Sequence, residues 1–368
     1  MNKTRTRFAP SPTGYMHIGN LRTALFEFLI AKHEGGDFLL RIEDTDQERK
    51  VEGAVDVIYK TLKECGLNWD EGPDIGGDFG PYVQSERLPM YKGYAEELIK
   101  LGGAHYCFCS EEEIEAQRKE AESLGISFKF NDPCKHLSAE EVQAKLDAGE
   151  PYVIRQTIKN VGETYFDDEV YGRIEVDGDV LDEQILIKSD GYPTYNFANI
   201  IDDHQMQISH VVRGNEYLSS TPKYNLIYDA YGWQRPTYVH VPPVMKDEHH
   251  KLSKRNGDAS FQDLVAKGYL PEAIMNYIAL LGWAPETEQE IYTLDELIKV
   301  FNIHRISKSP AIFDIDKLTW MNGVYLRNMD EETYYETVRP YLEKAVHGPY
   351  DLKEIAKIIQ PRIDILNQ

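Results

Sequence analysis

The pattern that most constrains the fold of this chain lies near its amino terminus. Residues 4–9 predict a short strand, and the loop at 10–14, which contains prolines and a glycine, prevents that strand from continuing. Apolar residues then recur at helical spacing over 21–36, where a Gly-Gly pair ends the helix, and 38–42 predict a buried strand. Strand, helix and strand form a βαβ unit of a parallel sheet, in which ligands bind at the carboxyl ends of the strands. The loop at 10–14 is therefore a predicted binding loop.

The rest of the chain predicts an interrupted sheet and a helical end. At 368 residues the chain exceeds what one hydrophobic core usually serves, so several domains are expected. Two Ser-x-x-Glu capping boxes and a β-like run at 152–177 predict an inserted α+β domain. Apolar strands at 209–213 and 238–241 indicate a return to the first sheet, and helical signals dominate beyond about residue 260. The predicted class is α/β, a Rossmann-like doubly wound parallel sheet split by the insertion. The predicted domain boundaries are 1–87, 88–190, 191–245, 246–330 and 331–368.

Charge and cysteine content narrow the class of protein. The formal net charge of −22 argues against a generally basic nucleic-acid binder, so any contact with nucleic acid needs a local basic patch. Solubility of a metabolic enzyme is the plainer explanation of this acidity. Four cysteines are too few for a secreted disulfide framework. Because the sequence has no signal peptide and no apolar run long enough to span a membrane, we expect a cytosolic protein.

A His-x-Gly-Asn segment opens the first predicted helix. Backbone N–H groups and the helix dipole favour phosphate at such an end, and His17 adds a donor. Gly19 lets a nucleotide approach the backbone, because a Cβ would obstruct it, and Asn20 offers an amide. Helix capping by His17 and Asn20 is the alternative, which the four residues taken alone favour.

A second candidate phosphate site is the basic segment at 251–255. Two lysines separated by a small polar linker can stabilise the charge that develops on an α-phosphate and its pyrophosphate leaving group. A solvated basic loop is the plainer explanation of such a segment by itself. The chain has no Gly-x-x-x-x-Gly-Lys-Ser/Thr motif, so a P-loop does not supply the phosphate site.

Three cysteines and a histidine form a candidate metal site. Cys107, Cys109, Cys134 and His136 give a Cys-x-Cys…Cys-x-His set that suits tetrahedral zinc. Buried free thiols are the alternative on spacing alone. Four protein ligands leave no open position for water, so a zinc ion held in this way would be structural. Cys65 lies in an apolar helical pattern and is expected in the core.

The two candidate phosphate segments, in this order and separated by an insertion, resemble the HIGH and KMSKS signatures of class I aminoacyl-tRNA synthetases. Flanking segments are similar to those of bacterial glutamyl-tRNA synthetases, over essentially the whole chain. The similar segments are 7–14, 41–46, 191–199, 202–204, 213–216 and 320–323. Asn20 stands in place of a histidine, and Leu252 and Arg255 in place of methionine and serine, as is usual in the glutamyl subgroup. Because asparagine carries no charge, His17 is expected to stabilise more of the transition-state charge.

The resemblance implies a two-step reaction. The α-carboxylate of glutamate attacks the α-phosphate of ATP and releases pyrophosphate, and the adenylate then passes its acyl group to the 2′-hydroxyl of the terminal adenosine of tRNA. Mg²⁺ bridges the phosphates, and no nucleophilic side chain is needed. The implied catalytic residues are His17, Lys251 and Lys254. The implied ATP-binding residues are His17, Gly19, Asn20, Glu216, Lys251, Ser253, Lys254 and Arg255.

The resemblance also assigns the recognition of glutamate and the metal. Arg7 and Arg213 are the expected partners of the substrate carboxylate, and Glu43 is the expected acceptor for its α-ammonium. The implied glutamate-binding residues are Arg7, Ala9, Ser11, Glu43, Tyr195, Asn199 and Arg213. Without the resemblance, Arg41 and Glu43 would be interpreted as a surface ion pair. A structural helix start at Glu216 is nearly as good an interpretation. A bacterial subset of the family carries the Cys/His set as a zinc site.

The expected partners are L-glutamate and tRNA(Glu), with tRNA(Gln) left open, and the expected state is a monomer. In the family, the insertion binds the acceptor end of tRNA, the segment around Trp320 contacts its stem, and 331–368 begins an anticodon-binding domain. A helical pattern starts near Asp351 without a terminating device, so we expect a shortened chain. Three alternatives are an enzyme that glutamylates a modified tRNA base, a small-molecule nucleotidylyltransferase, and a non-catalytic tRNA-binding scaffold.

Overall fold

The chain begins with the predicted βαβ unit. The computed structural model describes residues 3–45, 51–159, 162–252 and 260–368. The first elements are β1 (Arg5–Phe8), α1 (Ile18–His33) and β2 (Asp37–Leu40). Strands β1 and β2 pair in parallel along their whole length. The loop that follows β1 therefore lies at the carboxyl end of a parallel strand, as the sequence predicts.

Helix α1 is buried on nearly all sides, whereas an amphipathic helix buries only one face. The charged side chains of Arg22 and Glu27 are only 2% and 1% exposed. The Arg22 guanidinium donates to the carbonyl oxygens of Leu281, at 2.9 Å, and Pro242. A helix surrounded on nearly all sides lies inside the molecule, and these two hydrogen bonds attach it to distant parts of the chain.

The middle of the chain contains helices and an antiparallel sheet. Its elements are α2 (Ala54–Glu64), α3 (Leu88–Lys100), β3 (Ala104–Cys107), α4 (Glu111–Ser123), α5 (Ala139–Asp147), β4 (Val153–Gln156), β5 (Glu163–Asp168), β6 (Gly172–Asp177) and β7 (Ile185–Ile187). Strands β3, β4 and β7 form the antiparallel sheet. Both predicted capping boxes are confirmed, since Ser110 pairs with Glu113 before α4 and Ser138 with Glu141 before α5.

A second sheet follows and reaches back to the first strand. Its further elements are α6 (Tyr195–Gln205), β8 (His210–Gly214), α7 (Thr221–Tyr231) and β9 (Thr237–Val241). The strand order is β6-β5-β9-β8, with β8 and β9 parallel. The Ser209 N–H donates to the Arg5 carbonyl oxygen at 3.0 Å, so β8 begins beside β1, which is how the chain returns to its first strands. The β5–β6 hairpin comes from the predicted insertion yet pairs with β9, with Asp168 opposite Tyr238.

The last third of the chain is mainly helical. Its elements are β10 (Val244–Met245), α8 (Phe261–Ala266), α9 (Pro271–Ala279), α10 (Leu294–Val300), β11 (Ala311–Ile312), α11 (Ile315–Asn328), α12 (Glu331–Ala345) and α13 (Leu352–Ile359). Pro271 opens α9, and Thr293 with Glu296 forms a capping box before α10, in agreement with the helical signals predicted beyond about residue 260. Buried Asn322 accepts from the Leu270 N–H at 2.8 Å and donates to the Asp364 carbonyl oxygen at 2.6 Å, which attaches the end of the chain to this region. Among the described residues, no helix is both long and apolar enough to cross a membrane.

Candidate functional site

The two predicted phosphate segments meet at the start of α1. His17 is the N-cap of α1, and its Nδ1 accepts from the Gly19 N–H at 3.0 Å. Because Nδ1 accepts, Nε2 carries the proton, and it donates to the Leu252 carbonyl oxygen at 3.1 Å. The capping role that the sequence left open is therefore present, together with a contact to the second segment. The two interpretations of His17 do not exclude one another.

Helix α8, which follows the second segment in the chain, contacts the residue before His17. The Phe261 N–H donates to the Met16 carbonyl oxygen at 3.0 Å, and the Met16 N–H donates to Gln262 Oε1 at 3.1 Å. Exposed Lys251 pairs with Met245 at the end of β10, so it projects from a short hairpin. Asn20 is exposed on the first turn of α1. The remaining predicted phosphate contacts, Ser253, Lys254 and Arg255, lie outside the described residues.

Arg213 lies at the end of β8 inside a cage of tyrosine rings. Its guanidinium carbon is 5.3, 4.8 and 5.4 Å from the ring centroids of Tyr217, Tyr224 and Tyr238. The side chain donates from Nη2 to Thr221 Oγ1 at 2.8 Å and from Nε to a histidine nitrogen at 3.2 Å. Although the residue is only 7% exposed, it forms no ion pair with a carboxylate of the described residues. Aromatic faces stabilise this buried cation without neutralising it.

Arg7, the other predicted carboxylate partner, has a different environment. Its Nε and Nη2 donate to the two oxygens of Asp203 at 2.8 and 3.1 Å, and its Nη1 donates to Glu27 at 3.2 Å. Arg41 Nη1 donates at 2.8 Å to Asp203 Oδ1, the oxygen that also accepts from Arg7 Nε. Burial alone raises the pKa of Asp203, but the charges of Arg7 and Arg41 outweigh that effect and hold it below its usual range. The charge of Arg7 is thus already balanced inside the protein.

Glu43 is a member of this buried network. Arg41 Nη2 donates to Glu43 Oε1 at 3.0 Å, and the two side chains are 0% and 5% exposed. A surface ion pair, the plainer interpretation from sequence, is therefore wrong. Burial raises the pKa of Glu43 to about 7, although the charge of Arg41 opposes the shift. Glu43 lies shortly after the end of β2, and its N–H donates to the Pro10 carbonyl oxygen at 3.1 Å, so it lies beside the loop after β1.

Helix α6 presents two of the predicted polar contacts. Tyr195 is its first residue, with its ring 5.6 Å from that of Tyr217, beside Arg213. Asn199 lies one turn later and is 2% exposed, and its Nδ2 has no hydrogen-bond partner among the described residues. A buried amide donor without an acceptor is costly, so it marks a position where a ligand oxygen fits.

The remaining predicted contacts lie on loops near the strand ends. Ala9 follows β1 and is partly buried, and Ser11 is exposed in the same loop. Glu216 is exposed and lies in the single 3-10 turn Asn215–Tyr217 after β8. This turn agrees with the alternative interpretation of Glu216 as part of a structural helix start. The Glu216 carboxylate folds back over Gly214, where an added Cβ would lie only 2.2 Å from a carboxylate oxygen and would force the Glu216 side chain to move.

Sequence reasoning missed the buried polar groups that support these residues. Glu27 interrupts an apolar run between Phe26 and Phe28, and a charge in such a run is the signal that a buried counter-ion exists. Thr221 and His240, which contact Arg213, carry no such signal, because a threonine or histidine in an apolar stretch is common.

The predicted cysteines come together, with a different fourth neighbour. Ligand atoms of Cys107, Cys109, Cys134 and Asp132 all lie within 4.8 Å of one another, and the sulfurs of Cys109 and Cys134 are 3.6 Å apart. His136 is exposed and is not part of this group. Asp132 is also bonded to His105, at 2.9 Å, in the way that outer groups orient metal ligands. Three thiols and a carboxylate are a donor set that fits zinc.

Comparison with known proteins agrees with this geometry. The family described as tRNA synthetases class I (E and Q), catalytic domain, matches residues 3–320. The glutamate–tRNA ligase of Clostridium botulinum is 61% identical over 367 residues, which cover 100% of this chain and 76% of that protein. The chain belongs to the glutamate–tRNA ligase family. Within the family, the Clostridium tetani enzyme is 60% identical over 367 residues, covering 100% of this chain and 75% of that protein.

Solved structures of the family share the fold. The glutamate tRNA ligase of Elizabethkingia meningosepticum, in complex with its amino acid, matches with a TM-score of 0.94 at 38% identity, covering 100% of this chain and 78% of that one. The glutamate–tRNA synthetase of Elizabethkingia anophelis matches with a TM-score of 0.93 at 38% identity, covering 100% and 79%. The predicted class I α/β fold is confirmed. Membership of this family argues against the small-molecule nucleotidylyltransferase considered above.

Proposed function

We propose that this chain activates L-glutamate with ATP and transfers the glutamyl group to the 3′-terminal adenosine of tRNA(Glu). The observation that carries the proposal is the contact between His17 and Leu252, which joins two phosphate-binding segments separated by more than two hundred residues. Arg213 lies at the end of β8 and Glu43 shortly after the end of β2, and β8 begins beside β1, so complementary charges for both ends of an amino acid lie at the carboxyl ends of neighbouring strands.

The first step is the attack of the glutamate α-carboxylate on the α-phosphate. When ATP binds, the Nε2 proton of His17 exchanges its Leu252 acceptor for a phosphate oxygen, and Lys251 and Lys254 neutralise the charge that develops on the leaving pyrophosphate. Bound Mg²⁺ supplies additional neutralisation of the triphosphate. Gly19, Asn20, Glu216, Ser253 and Arg255 complete the ATP site. No side chain forms a covalent intermediate, so the protein acts by positioning and by electrostatic stabilisation.

Glutamate is recognised by its two charged ends. Arg213, without a carboxylate partner among the described residues, binds the side-chain carboxylate, and Asn199 Nδ2 donates to a carboxylate oxygen. Glu43 accepts from the α-ammonium. Arg7 contributes through its remaining N–H and mainly holds Asp203 in place. Ala9, Ser11 and Tyr195 supply the remaining contacts on the loop after β1 and on α6.

We also propose a structural zinc ion bound by the thiolates of Cys107, Cys109 and Cys134. The proximity of their sulfurs supports the site. For the fourth ligand there are two candidates: Asp132, which lies in the cluster, and His136, which the spacing predicts.

The zinc content per protein chain tests whether the metal is bound and which residue is its fourth ligand. We expect about one zinc ion per chain after dialysis of the wild-type protein, and none after Cys134→Ser. Of the matched variants Asp132→Asn and His136→Asn, the one that loses zinc identifies the fourth ligand. A wild-type protein without zinc would contradict the metal site and leave buried free thiols.

The partner and state assignments follow from the family. We propose a cytoplasmic monomer that charges tRNA(Glu), and we leave the charging of tRNA(Gln) to experiment. The segments 88–190 and 246–330 are proposed to contact the acceptor end and the inner stem of the tRNA, and 331–368 to begin the anticodon-binding region. Size-exclusion chromatography with light scattering measures the oligomeric state.

ATP–pyrophosphate exchange tests the main activity. The assay compares glutamate with glutamine, each with and without tRNA(Glu). We expect exchange with glutamate alone among these amino acids, and only when tRNA is present. Exchange with glutamine but not with glutamate would contradict the substrate assignment. Folded protein without exchange under any condition would instead favour the non-catalytic tRNA-binding scaffold.

A further inference from the structure

A buried histidine connects Arg213 to an aspartate on a neighbouring strand. His240 lies on β9 and is 0% exposed. Its Nδ1 is 2.6 Å from Asp168 Oδ2, and its backbone N–H donates to the same oxygen at 3.0 Å. The other oxygen of Asp168 accepts from the backbone N–H groups of Val170 and Tyr171, at 3.0 and 2.8 Å. Both oxygens of the Asp168 carboxylate therefore accept hydrogen bonds, which fixes its orientation.

The opposite nitrogen of His240 faces the arginine. Arg213 Nε lies 3.2 Å from His240 Nε2, and a guanidinium N–H can only donate. His240 Nε2 must therefore present its lone pair, which places the ring proton on Nδ1, toward Asp168. Burial lowers the pKa of His240, with the Arg213 charge acting in the same direction, so the ring is neutral at neutral pH. The titratable groups around it are Asp168, Arg213, Glu216 and Tyr238.

The neutrality of His240 distinguishes Arg213 from Arg7. A carboxylate at the position of His240 would orient Arg213 equally well, but it would also cancel the charge, as Asp203 does for Arg7. Histidine supplies an acceptor without a charge. Asp168 acts on the histidine and forms no ion pair with the arginine.

We propose that His240, held in its Nδ1–H tautomer by Asp168, is a positioning residue for glutamate recognition, which fixes the Nε edge of Arg213 and leaves its charge for the substrate carboxylate. The inference rests on the proposed role of Arg213 in binding glutamate. The geometry also assigns a function to the β5–β6 hairpin, since the last residue of β5 determines the histidine tautomer.

Two substitutions of His240 distinguish the hydrogen-bond acceptor at Nε2 from the mere presence of a polar side chain at this position. The glutamine oxygen of His240→Gln can reach the position of Nε2 and accept from Arg213, whereas the shorter amide of His240→Asn ends near Nδ1. We expect the KM for glutamate to rise on the order of 10- to 100-fold in His240→Asn, because a hydrogen bond to a charged group is lost. In His240→Gln the rise is expected to stay within about threefold. Neither variant should change the KM for ATP by more than about twofold, since the phosphate site is separate.

Asp168→Asn tests the tautomer itself. Because two backbone N–H groups, of Val170 and Tyr171, require an oxygen on one side and only that of His240 on the other, the asparagine amide turns its NH₂ toward His240. The proton then moves to Nε2, where it faces the Arg213 N–H, and the KM for glutamate should rise about as much as in His240→Asn. Exposed His33, which donates to the Ile298 carbonyl oxygen, provides the matched control His33→Gln with unchanged kinetics.

The measurement is ATP–pyrophosphate exchange in the presence of tRNA(Glu), with KM and kcat determined separately for glutamate and ATP. Elevated glutamate KM in His240→Asn and Asp168→Asn, with recovery in His240→Gln, supports the proposal. If both variants keep the wild-type glutamate KM while Arg213→Gln loses activity, the positioning role is overturned and the binding role of Arg213 stands. If Arg213→Gln keeps the wild-type KM, the proposed glutamate site itself is wrong.

Discussion

Two buried arginines of similar exposure have opposite electrostatic environments in this molecule. Arg7 on β1 is 4% exposed and bonds to Asp203 and Glu27, whereas Arg213 on β8 is 7% exposed and bonds to Thr221 and a neutral histidine. The first charge is balanced within the protein, and the second is not balanced by any described carboxylate. Burial therefore does not decide what a charged side chain is for. The identity of its neighbours does.

The comparison predicts that the two arginines contribute differently to stability and to binding. An arginine paired with buried carboxylates cannot be removed without leaving those charges uncompensated. An arginine held by neutral groups is less costly to remove, but under the proposed function the substrate carboxylate would then lose its charged partner. Four substitutions test this division, in order of decreasing expected effect.

Arg7→Gln should mainly destabilise the fold. We expect the free energy of unfolding to fall by about 3–5 kcal/mol, because Asp203 loses its bidentate partner inside the protein. Urea denaturation measures the change, and Arg213→Gln is the matched control, with an expected loss of roughly 1–3 kcal/mol. Equal losses in the two variants would remove the distinction between the arginines.

Arg213→Gln should mainly impair the use of glutamate. We expect kcat/KM for glutamate to fall roughly 10²- to 10³-fold, because a desolvated carboxylate loses its charged partner. ATP–pyrophosphate exchange with tRNA(Glu) present measures the change, and the KM for ATP serves as the internal control. A drop in stability without a drop in kcat/KM would show that Arg213 is only a structural residue.

Glu43 combines the two roles, because it pairs with Arg41 inside the protein and is also the proposed acceptor for the α-ammonium of the substrate. With a pKa raised by burial to about 7, Glu43 holds its proton at pH 6 and loses it as the pH rises to 8. The KM for glutamate should therefore decrease roughly tenfold over this interval in the wild-type protein. Glu43→Gln should show a high and nearly constant KM; a wild-type slope retained in this variant would assign the titration to another group.

Tyr217→Leu should have the smallest effect. Loss of one aromatic face beside Arg213 removes a cation–π contact, and we expect the KM for glutamate to rise roughly 3- to 10-fold. Tyr217→Phe keeps the ring and should remain close to the wild-type KM. If the phenylalanine variant is impaired as strongly as the leucine variant, the hydroxyl group matters and the ring face does not.

Much of the fold could be predicted because its signals are local. Ser110 with Glu113, Ser138 with Glu141, and Pro271 at a helix start each follow from hydrogen bonds or dihedral angles within one turn. The two candidate phosphate segments were likewise proposed from short runs of residues taken together. The return of the chain to its first sheet was only partly predictable, because nothing local indicates that the β5–β6 hairpin would pair with β9.

The site divides in the same way. The resemblance identified Arg7 and Arg213 as equivalent partners for a carboxylate, and the residue pattern without it favoured a surface ion pair of Arg41 and Glu43. The structure buries the last two together and gives the two substrate-facing candidates different neighbours. It also brings Asp132 to the cysteine sulfurs. Each of these outcomes depends on neighbours that come from distant parts of the chain, as Asp203 does for Arg7 and Arg41.

By itself, then, the sequence determined the elements that short-range chemistry specifies: the βαβ start, the helix caps, the phosphate segments and the cysteines. Tertiary structure alone decided which buried charges are balanced by other side chains, as in Arg7, and which are not, as in Arg213. The physical reason is that capping and strand propensity act within a few residues. The state of a buried charge depends on every group that packing brings within a few ångströms of it.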